Sequence, residues 1–198
     1  MKKFFIAALA LALGTATLGP SAWAADDKAP PPTLKFAETT LYRVDATNFA
    51  VDNRDATPKT YPQVGHLAAF GFDAALKSWA AQRFQLTGGS VNTLRITMKE
   101  GRVTEIILPI TKGIAGWFKK EESVKYEAAL SLEVAIVDPA GNVLTKAESS
   151  AMATQTLIEG TKQSEKEATW VQLINRCFDS VDRELKSQLP QYMAQYIR

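Results

Sequence analysis

The side chains that most often do chemistry are sparse in this sequence, which has a single histidine, His66, and a single cysteine, Cys177. Metal sites and acid–base catalysis need several ligands, or a base with an orienting partner, so a lone histidine predicts neither. His66 follows Gly65 at the start of a predicted helix, where we expect a structural or exposed role. Cys177 falls on an apolar helical face, which predicts core packing; an intermolecular disulfide is the alternative if that face is less buried than its pattern indicates.

Two short runs have some of the residues of known sites but lack others. The run Asp52–Asp55 lacks the alternating oxygen ligands and the distal glutamate of a calcium loop, so we expect a solvated turn. The run Gly88–Ser90 follows a predicted helix and has no lysine after it, unlike a phosphate-binding loop. No serine has the context of a nucleophile elbow. The sequence therefore predicts no metal, no cofactor and no enzyme; a weak hydrolase, or an inhibitor of one, has only generic support.

The segment TKGIAGWFKKEES, from Thr111 to Ser123, is the best functional candidate in the chain. It places two large aromatic residues among glycines and lysines in a predicted loop. In one interpretation the aromatic residues fold over the open end of a sheet and complete the core. In the other, the apolar tip enters a partner's groove or a membrane interface while the ammonium groups stay at the polar boundary. The residues predicted to make this contact are Lys112, Ile114, Trp117, Phe118, Lys119 and Lys120.

Acidic neighbours limit what this tip can do alone. Glu121 and Glu122 offset the lysine charge, and the apolar area is small, so we expect only weak contact with a membrane surface. Docking to a protein partner is therefore the favoured function of the segment.

The amino terminus has the pattern of a secretory signal peptide. Lys2 and Lys3 precede an apolar run from Phe4 to Leu13, and an Ala-Trp-Ala sequence ends at Ala24. We predict cleavage near Ala24 and export to the periplasm, since the apolar run is too short to span a membrane. No cysteine lies near this position, so the lipid attachment of a bacterial lipoprotein is not predicted and we expect a soluble mature chain.

The rest of the chain predicts one linker and one domain. Residues 25–33, ADDKAPPPT, combine charge with consecutive prolines and predict a flexible or polyproline linker. Residues 34–198 have enough apolar content for a single domain with its own core. Removal of Lys2 and Lys3 takes the formal charge from +2 to about zero. This charge gives no electrostatic argument for nucleic acid, whose phosphates require a basic surface, so no nucleic acid partner is predicted.

Hydrophobic periodicity predicts the elements of the first half of this domain. The helix is predicted from apolar residues at helical spacing, followed by Gly88–Gly89 as a stop signal. A glycine-containing run between two β-rich runs predicts a hairpin. In order, the elements are a strand over 34–44, a loop over 45–62, a helix over 65–86, and a hairpin of 93–98 with 103–108 around residues 99–102.

The second half has the clearest patterns. From Tyr126 to Ile136 apolar residues occupy every second position, which predicts a strand with one covered face. A turn over 138–142 leads to a Ser- and Thr-rich strand over 143–157, which we expect to be bulged or near a sheet edge. Ser164 and Glu167 match a capping box, and a helix is predicted to run to about Leu189, where Pro190 ends or kinks it.

Two amphipathic helices and a sheet with one apolar face bury each other's apolar surfaces. The predicted fold is therefore α+β, a two-layer sandwich of a mostly antiparallel sheet with both helices on one face. Within it, an alternative apolar ligand site would lie between helices and sheet near Trp79 and Phe84.

The layout resembles small bacterial envelope proteins, the YajG-type lipoproteins and the auxiliary components of envelope lipid-transport ABC systems. The resemblance rests on residues 72–79, the strand over 126–137 with its turn, and the final helix over 170–189. It implies an envelope role in lipid trafficking or outer-membrane maintenance. Members of these families are lipid-anchored through an amino-terminal cysteine, which this chain lacks, so the anchor does not carry over.

The sequence therefore predicts a non-enzymatic periplasmic accessory or adaptor protein. Its predicted partner is an envelope protein. The partner binds through the loop from Ile114 to Lys120, which we call the aromatic tip, or through an exposed sheet edge by strand addition. The alternative is a soluble carrier of a lipid or another small apolar ligand.

Overall fold

The computed structural model describes residues 34–109 and 121–197, which form six strands and two α-helices. In chain order the elements are β1 (Tyr42–Val44), β2 (Asn48–Asn53), α1 (Phe72–Arg83), β3 (Phe84–Leu86), β4 (Thr93–Ile107), β5 (Glu122–Val137), β6 (Val143–Ile158) and α2 (Gln163–Tyr192), with a 3₁₀ turn at Gly65–Leu67. Four strands form a sheet in the order β2-β4-β5-β6, and β1 forms a separate parallel pair with β3. Within the larger sheet only the β2–β4 pair is parallel. The predicted α+β class is confirmed.

Strand β5 has the alternation that its sequence predicts. Its even-numbered residues from Tyr126 to Ile136 are at most 1% exposed, and they face the helices. Its charged odd-numbered residues lie on the opposite side, which we call the open face. The turn that follows is also confirmed: Asp138 Oδ1 accepts a hydrogen bond from the Asn142 amide at 2.8 Å, and Gly141 has a φ of 91°, which glycine adopts readily.

The hairpin predicted over 93–108 is wrong, because β4 runs continuously through it. The pairing of β4 with β5 shifts register between Met98 and Glu100, where one extra residue forms a bulge. Gly101 allows close packing here and does not form a turn. A Cβ at this position would lie 2.7 Å from Met98 Sδ and 3.1 Å from the Phe72 Cβ. The glycine therefore marks a close approach of α1 to the sheet.

The predictions for residues 34–62 also need correction. The strand predicted over 34–44 is confined to Tyr42–Val44, and the loop predicted over 45–62 contains β2. β2 pairs in parallel with the first half of β4. Its sequence is polar because it lies at an edge of the sheet, where part of the strand faces water.

The helix predicted over 65–86 is shorter in the structure. Gly65–Leu67 form the 3₁₀ turn, and α1 begins only after Gly71, whose backbone is extended. At the other end, Phe84–Leu86 leave the helix and pair with β1. Strand pairing thus overrides a sequence pattern that continues the helical period.

Helix α2 differs from its prediction at both ends. It begins after Lys162 without a side-chain capping bond, so the predicted capping box at Ser164 is wrong. The Gln163 side chain instead donates a hydrogen bond to Glu167 Oε1 at 3.2 Å. Pro190 lies inside the last turn, and the helix continues two residues beyond it. A proline so close to the end removes one intrahelical hydrogen bond, which the rest of the helix tolerates.

The core lies between the larger sheet and the helices. Helix α2 packs on β5 and β6, α1 packs on β2 and β4, and the helices contact each other. The Phe178 ring lies 5.5, 6.3 and 6.0 Å from the rings of Phe36, Phe72 and Trp79. This is the predicted two-layer arrangement. Within the described ranges, neither helix combines the length and the hydrophobicity that crossing a membrane requires.

Candidate docking surface

The aromatic tip lies outside the described residues. This applies to all six predicted contact residues, Lys112, Ile114, Trp117, Phe118, Lys119 and Lys120. The flanks of the segment are described: the Leu108 amide donates to the Ser123 carbonyl oxygen at 2.9 Å, so the segment connects the paired ends of β4 and β5. Ile107, at this end, is 61% exposed. Contact through the tip stays a prediction.

The residues of the predicted apolar ligand site are brought together in the core. Trp79 is 1% exposed, and its ring meets that of Phe84 edge-on at a centroid distance of 5.6 Å. Each ring therefore fills space beside the other in this structure. Binding of an apolar ligand between helices and sheet stays a prediction.

The single cysteine, Cys177, and the single histidine, His66, have different environments. Cys177 is fully buried on α2, and burial raises the pKa of its thiol to about 12. Such a thiol stays protonated at neutral pH and packs as a small apolar group, as predicted. His66 is exposed in the 3₁₀ turn. Within residues 34–109 and 121–197, no three His, Cys, Asp or Glu side chains are grouped to hold a metal ion.

His66 lines a polar cleft of about 330 Å³ between the start of α1 and the bulge of β4. Two side chains that line this cleft bind carboxylates. Asn53 donates to Asp73 Oδ1 at 2.6 Å, and Arg102 donates to Glu100 Oε1 at 2.5 Å. The first contact connects β2 to α1 and the second lies within β4, and we assign the cleft no chemical role.

Strand β6 presents the longest exposed edge of the described structure. It has 16 residues and pairs with β5 on one side, while no other described strand pairs with its outer side. The carbonyl oxygen of Thr154 accepts from Arg176 Nη1 at 3.4 Å, which indicates that this carbonyl points away from β5. Because the N–H and C=O of a residue in an antiparallel strand point the same way, the even-numbered residues near Thr154 present both groups to the edge. The predicted position near a sheet edge is confirmed.

Four apolar side chains along β6 are exposed. Met152, at the middle of the strand, is 63% exposed, and the others lie towards its two ends. The additional exposed residues are Val143, Leu144 and Ile158. An edge that offers both backbone groups and apolar side chains can take up an extended segment.

A groove of about 600 Å³ lies beside the middle of this edge, which we call the β6 groove. Strand β6 forms one wall, α2 forms another, and the chain before β1 closes one side. Its lining residues are Ala37, Glu38, Met152, Ala153, Thr154, Arg176, Asp179, Ser180 and Arg183.

The carboxylates of the β6 groove already have partners. Glu38 Oε2 pairs with Lys186 Nζ at 2.7 Å, and this bond, with hydroxyl and amide donors from Thr40 and Thr39, lowers the Glu38 pKa to about 2. Asp179 Oδ1 accepts a hydrogen bond from the Ala37 amide at 2.8 Å. The acidic groups of the groove are therefore neutralised or hydrogen-bonded at neutral pH.

Among the described residues, the two arginines of the groove bind only neutral groups. Arg176 donates to Gln155 Oε1 as well as to the Thr154 carbonyl oxygen. Arg183 donates to the Asp179 carbonyl oxygen at 3.3 Å and to Ser180 Oγ at 3.0 Å. Neither guanidinium group forms an ion pair with any residue in the described ranges.

The sequence alone does not predict this groove. The two arginines are seven positions apart in a helix, a spacing that places them on one side of α2. That signal was readable, but nothing local in the sequence indicates that this side of α2 lies beside a free strand edge. The sequence predicts that β6 lies near a sheet edge, but it does not predict that α2 lies beside that edge.

The fold and the groove define a class of protein: an α+β sandwich with an open mixed sheet, an accessible edge strand and, beside it, a groove that contains two arginines. No family model and no curated protein matches the chain. Solved structures similar to it include a minor lipoprotein from Acinetobacter baumannii, at 13% identity over 71% of this chain and 88% of that one, with a TM-score of 0.37.

Two further solved structures are similar at the same level. One is a putative neuraminyllactose-binding hemagglutinin homolog from Helicobacter pylori, at 11% identity over 72% of this chain and 82% of that one, with a TM-score of 0.35. The other is a DUF330 protein from Xanthomonas campestris, at 11% identity over 79% and 97%, with a TM-score of 0.31. These matches assign no function, and the resemblance to YajG-type lipoproteins stays a prediction.

Proposed function

We propose that this protein is a non-enzymatic adaptor of the bacterial cell envelope, which binds a partner protein by adding an extended segment of the partner to β6. One observation carries the proposal: along its outer side, the 16-residue β6 pairs with no other described strand. Strand addition uses main-chain hydrogen bonds for affinity and side-chain contacts for specificity.

The length of β6 supports a docking role. At roughly 3.4 Å per residue, the edge extends over about 50 Å, three times a common strand length. Edge strands are ordinarily kept short, interrupted by proline or covered, because exposed backbone groups pair with other chains. Strand β6 contains no proline, and Arg176 reaches its edge at a single carbonyl.

Other features support an envelope location and a second contact. The predicted signal peptide over residues 1–24 supports export to the periplasm. The aromatic tip, with Trp117 and Phe118, follows β4 at the end of the sheet and is the second proposed contact with the partner. A role in lipid trafficking or outer-membrane maintenance is the specific process that we propose, and the tip provides weak attachment to a membrane surface.

Photo-crosslinking in the periplasm tests the adaptor. A photoreactive amino acid replaces Met152, whose side chain is 63% exposed beside the edge, and in a matched control it replaces the exposed Lys77 on α1. We expect a discrete adduct from position 152 and none from position 77. We further expect Thr154→Pro to abolish that adduct, because the proline removes an outward N–H while the pairing with β5 is kept.

Circular dichroism and thermal unfolding of Thr154→Pro establish that the variant is folded. An adduct that persists in the folded variant, or equal adducts from both positions, contradicts strand addition. Native mass spectrometry of the full chain purified from the periplasm tests the carrier alternative. A stoichiometric lipid or other apolar molecule would favour the carrier over the adaptor.

A further inference from the structure

We infer that the segment added to β6 is an acidic peptide, whose carboxylates bind Arg176 and Arg183 of the β6 groove. This inference rests on the proposed strand addition and names the chemistry of the partner. It concerns side chains of α2, which strand addition by itself does not need.

The charges of the groove favour an acidic occupant. Glu38 pairs with Lys186, whereas the neutral Ala37 amide that binds Asp179 does not offset its charge. With Lys186 included, the groove has three cationic side chains and two carboxylates, an excess of one positive charge. The guanidinium groups of Arg176 and Arg183 bind neutral oxygens. A guanidinium group has five donors in a planar fork, and a carboxylate accepts two of them side by side in a stronger, charge-assisted bond.

The direction of α2 brings the arginines alongside an added strand. Arg176 contacts Thr154, Glu184 Oε2 accepts from Ser149 Oγ at 2.5 Å, and the Tyr192 carbonyl oxygen accepts from Thr145 Oγ1 at 2.7 Å. Rising residue numbers in α2 thus match falling numbers in β6. The helix therefore runs antiparallel to the strand, and Arg183 lies opposite residues between Ser149 and Thr154.

The spacing of the arginines sets the spacing of the acidic residues. A seven-residue separation in a helix corresponds to about 10 Å along its axis. Side chains two positions apart on one face of a strand are separated by roughly 7 Å, and the long arginine side chains cover the difference. The recognised segment therefore has two acidic residues two positions apart, both directed towards α2.

The groove also suits a peptide in shape. Its wall is the edge of β6 itself, at Met152–Thr154, and its volume of about 600 Å³ accommodates several side chains. An extended peptide here satisfies the edge amides and the arginines at the same time. An anionic membrane would satisfy only the arginines, so a peptide fits the observations better.

Fluorescence anisotropy of labelled peptides with the full chain tests the inference. The acidic probe is an eight-residue Thr- and Val-rich peptide with glutamates at positions 3 and 5, and its matched probe has glutamine at both positions. We expect the acidic probe to bind about five- to tenfold more tightly than the matched probe at low salt, which is the gain in affinity from two partly exposed ion pairs. This preference should fall in 0.5 M salt, because salt screens the charges.

Matched variants locate the effect. Arg176→Gln and Arg183→Gln should each reduce the preference for the acidic probe, whereas Arg54→Gln, at an exposed arginine beside β2, should leave it unchanged. Circular dichroism shows that each variant is folded. Equal binding of the two probes, or a preference that survives both groove substitutions, overturns the inference.

The result also separates this inference from the proposed function. If both probes bind equally and Thr154→Pro abolishes both, strand addition holds and acidic recognition fails. If neither probe binds and no adduct forms from position 152, both fail. Sedimentation with phosphatidylglycerol vesicles tests whether the groove binds an anionic membrane instead. If the protein binds the vesicles through Arg176 and Arg183 and neither peptide binds, the groove is a membrane contact and the inference is overturned.

Discussion

At the scale of single residues, the most consequential pair is Arg83 and Asp182, which connects the end of α1 to α2. Arg83 Nε lies 2.7 Å from Asp182 Oδ2, and both side chains are 2% exposed. The Phe36 ring lies 5.8 Å from the guanidinium carbon, so the charge is also covered by an aromatic face. Burial raises the pKa of Asp182, and the Arg83 guanidinium partly offsets that rise. The pair fixes how the two helices meet.

Removal of one member of this pair should destabilise the protein strongly. Asp182→Ala leaves the Arg83 charge buried without its partner, and we expect a loss of about 3–5 kcal/mol in the free energy of unfolding. Urea denaturation followed by circular dichroism measures it. The double variant Arg83→Met with Asp182→Leu removes both charges and should lose less than the single variant. A loss under about 1 kcal/mol for Asp182→Ala would show that the pair is not structurally important.

At the scale of elements, the bulge in β4 organises a charge cluster on the open face of the sheet. Because the bulge inserts one residue, Lys99 and Glu100 are both directed to that face. Lys99 Nζ lies 2.9 Å from Glu133 Oε2 and 3.1 Å from Glu148 Oε2. Lys146 Nζ lies 2.5 Å from Glu148 Oε1. The cluster fastens β4, β5 and β6 across the sheet.

This cluster should contribute to acid stability. The hydrogen bonds from Lys146 and then Lys99 lower the Glu148 pKa from 4.5 to about 2. A carboxyl whose pKa is depressed by folding stabilises the protein above its unfolded pKa, and that stabilisation is lost as pH falls from about 4.5 to about 2. Because Glu148 is half-exposed, solvent screening keeps the contribution small.

Nuclear magnetic resonance measures this pKa directly. The carbon-13 shift of the Glu148 carboxyl, followed through an acid titration, should have its midpoint at about 2. Lys146→Gln should raise the midpoint towards the ordinary value, and high salt should raise it in the unmodified protein. A midpoint close to 4.5 at low salt would mean that the ion pairs do not persist in solution.

At the scale of the whole molecule, the proposed contacts belong to different parts of the chain. The β6 groove is beside an edge strand, whereas the aromatic tip belongs to the segment between β4 and β5, whose paired ends lie at one end of the sheet. A partner that adds a strand to β6 lies along the sheet and can extend towards that end. If both proposed contacts bind one partner, together they raise affinity without requiring either to be strong.

Substitution of the aromatic tip distinguishes docking from core packing. Trp117→Ser with Phe118→Ser should leave Tm within about 2 °C and weaken partner crosslinking from position 152, because the tip is the second contact. Lys119→Ser with Lys120→Ser is the matched control for charge at the same place. If Tm instead falls by more than about 5 °C, the aromatic residues complete the core and the tip is not a contact.

The elements predicted correctly are those whose periodicity is long and uninterrupted. The alternation in β5 and the apolar face of α2 each repeat over many residues, so one or two exceptions do not hide the period. The turn at Asp138–Asn142 is also local, since its residue types fix its backbone angles. For these elements the sequence was sufficient.

The missed features depend on contacts between distant residues. Gly101 suggested a turn, but it lies inside β4 because Phe72 and Met98 pack against it. The loop predicted over 45–62 contains β2 because the polar residues of β2 suit a strand only once β4 lies beside it. Phe84–Leu86 leave the helix because β1 is available to pair.

The sequence by itself determined the fold class, the covered face of β5, the apolar face of α2 and the unreactive position of Cys177. It did so because the hydrophobic periodicity indicates which side chains are buried. The tertiary structure decided the strand order, the burial of Arg83 with Asp182 and the position of Arg176 and Arg183 beside the free edge of β6. These features depend on which surfaces meet after the chain has folded back on itself, and local sequence patterns do not predict which surfaces meet.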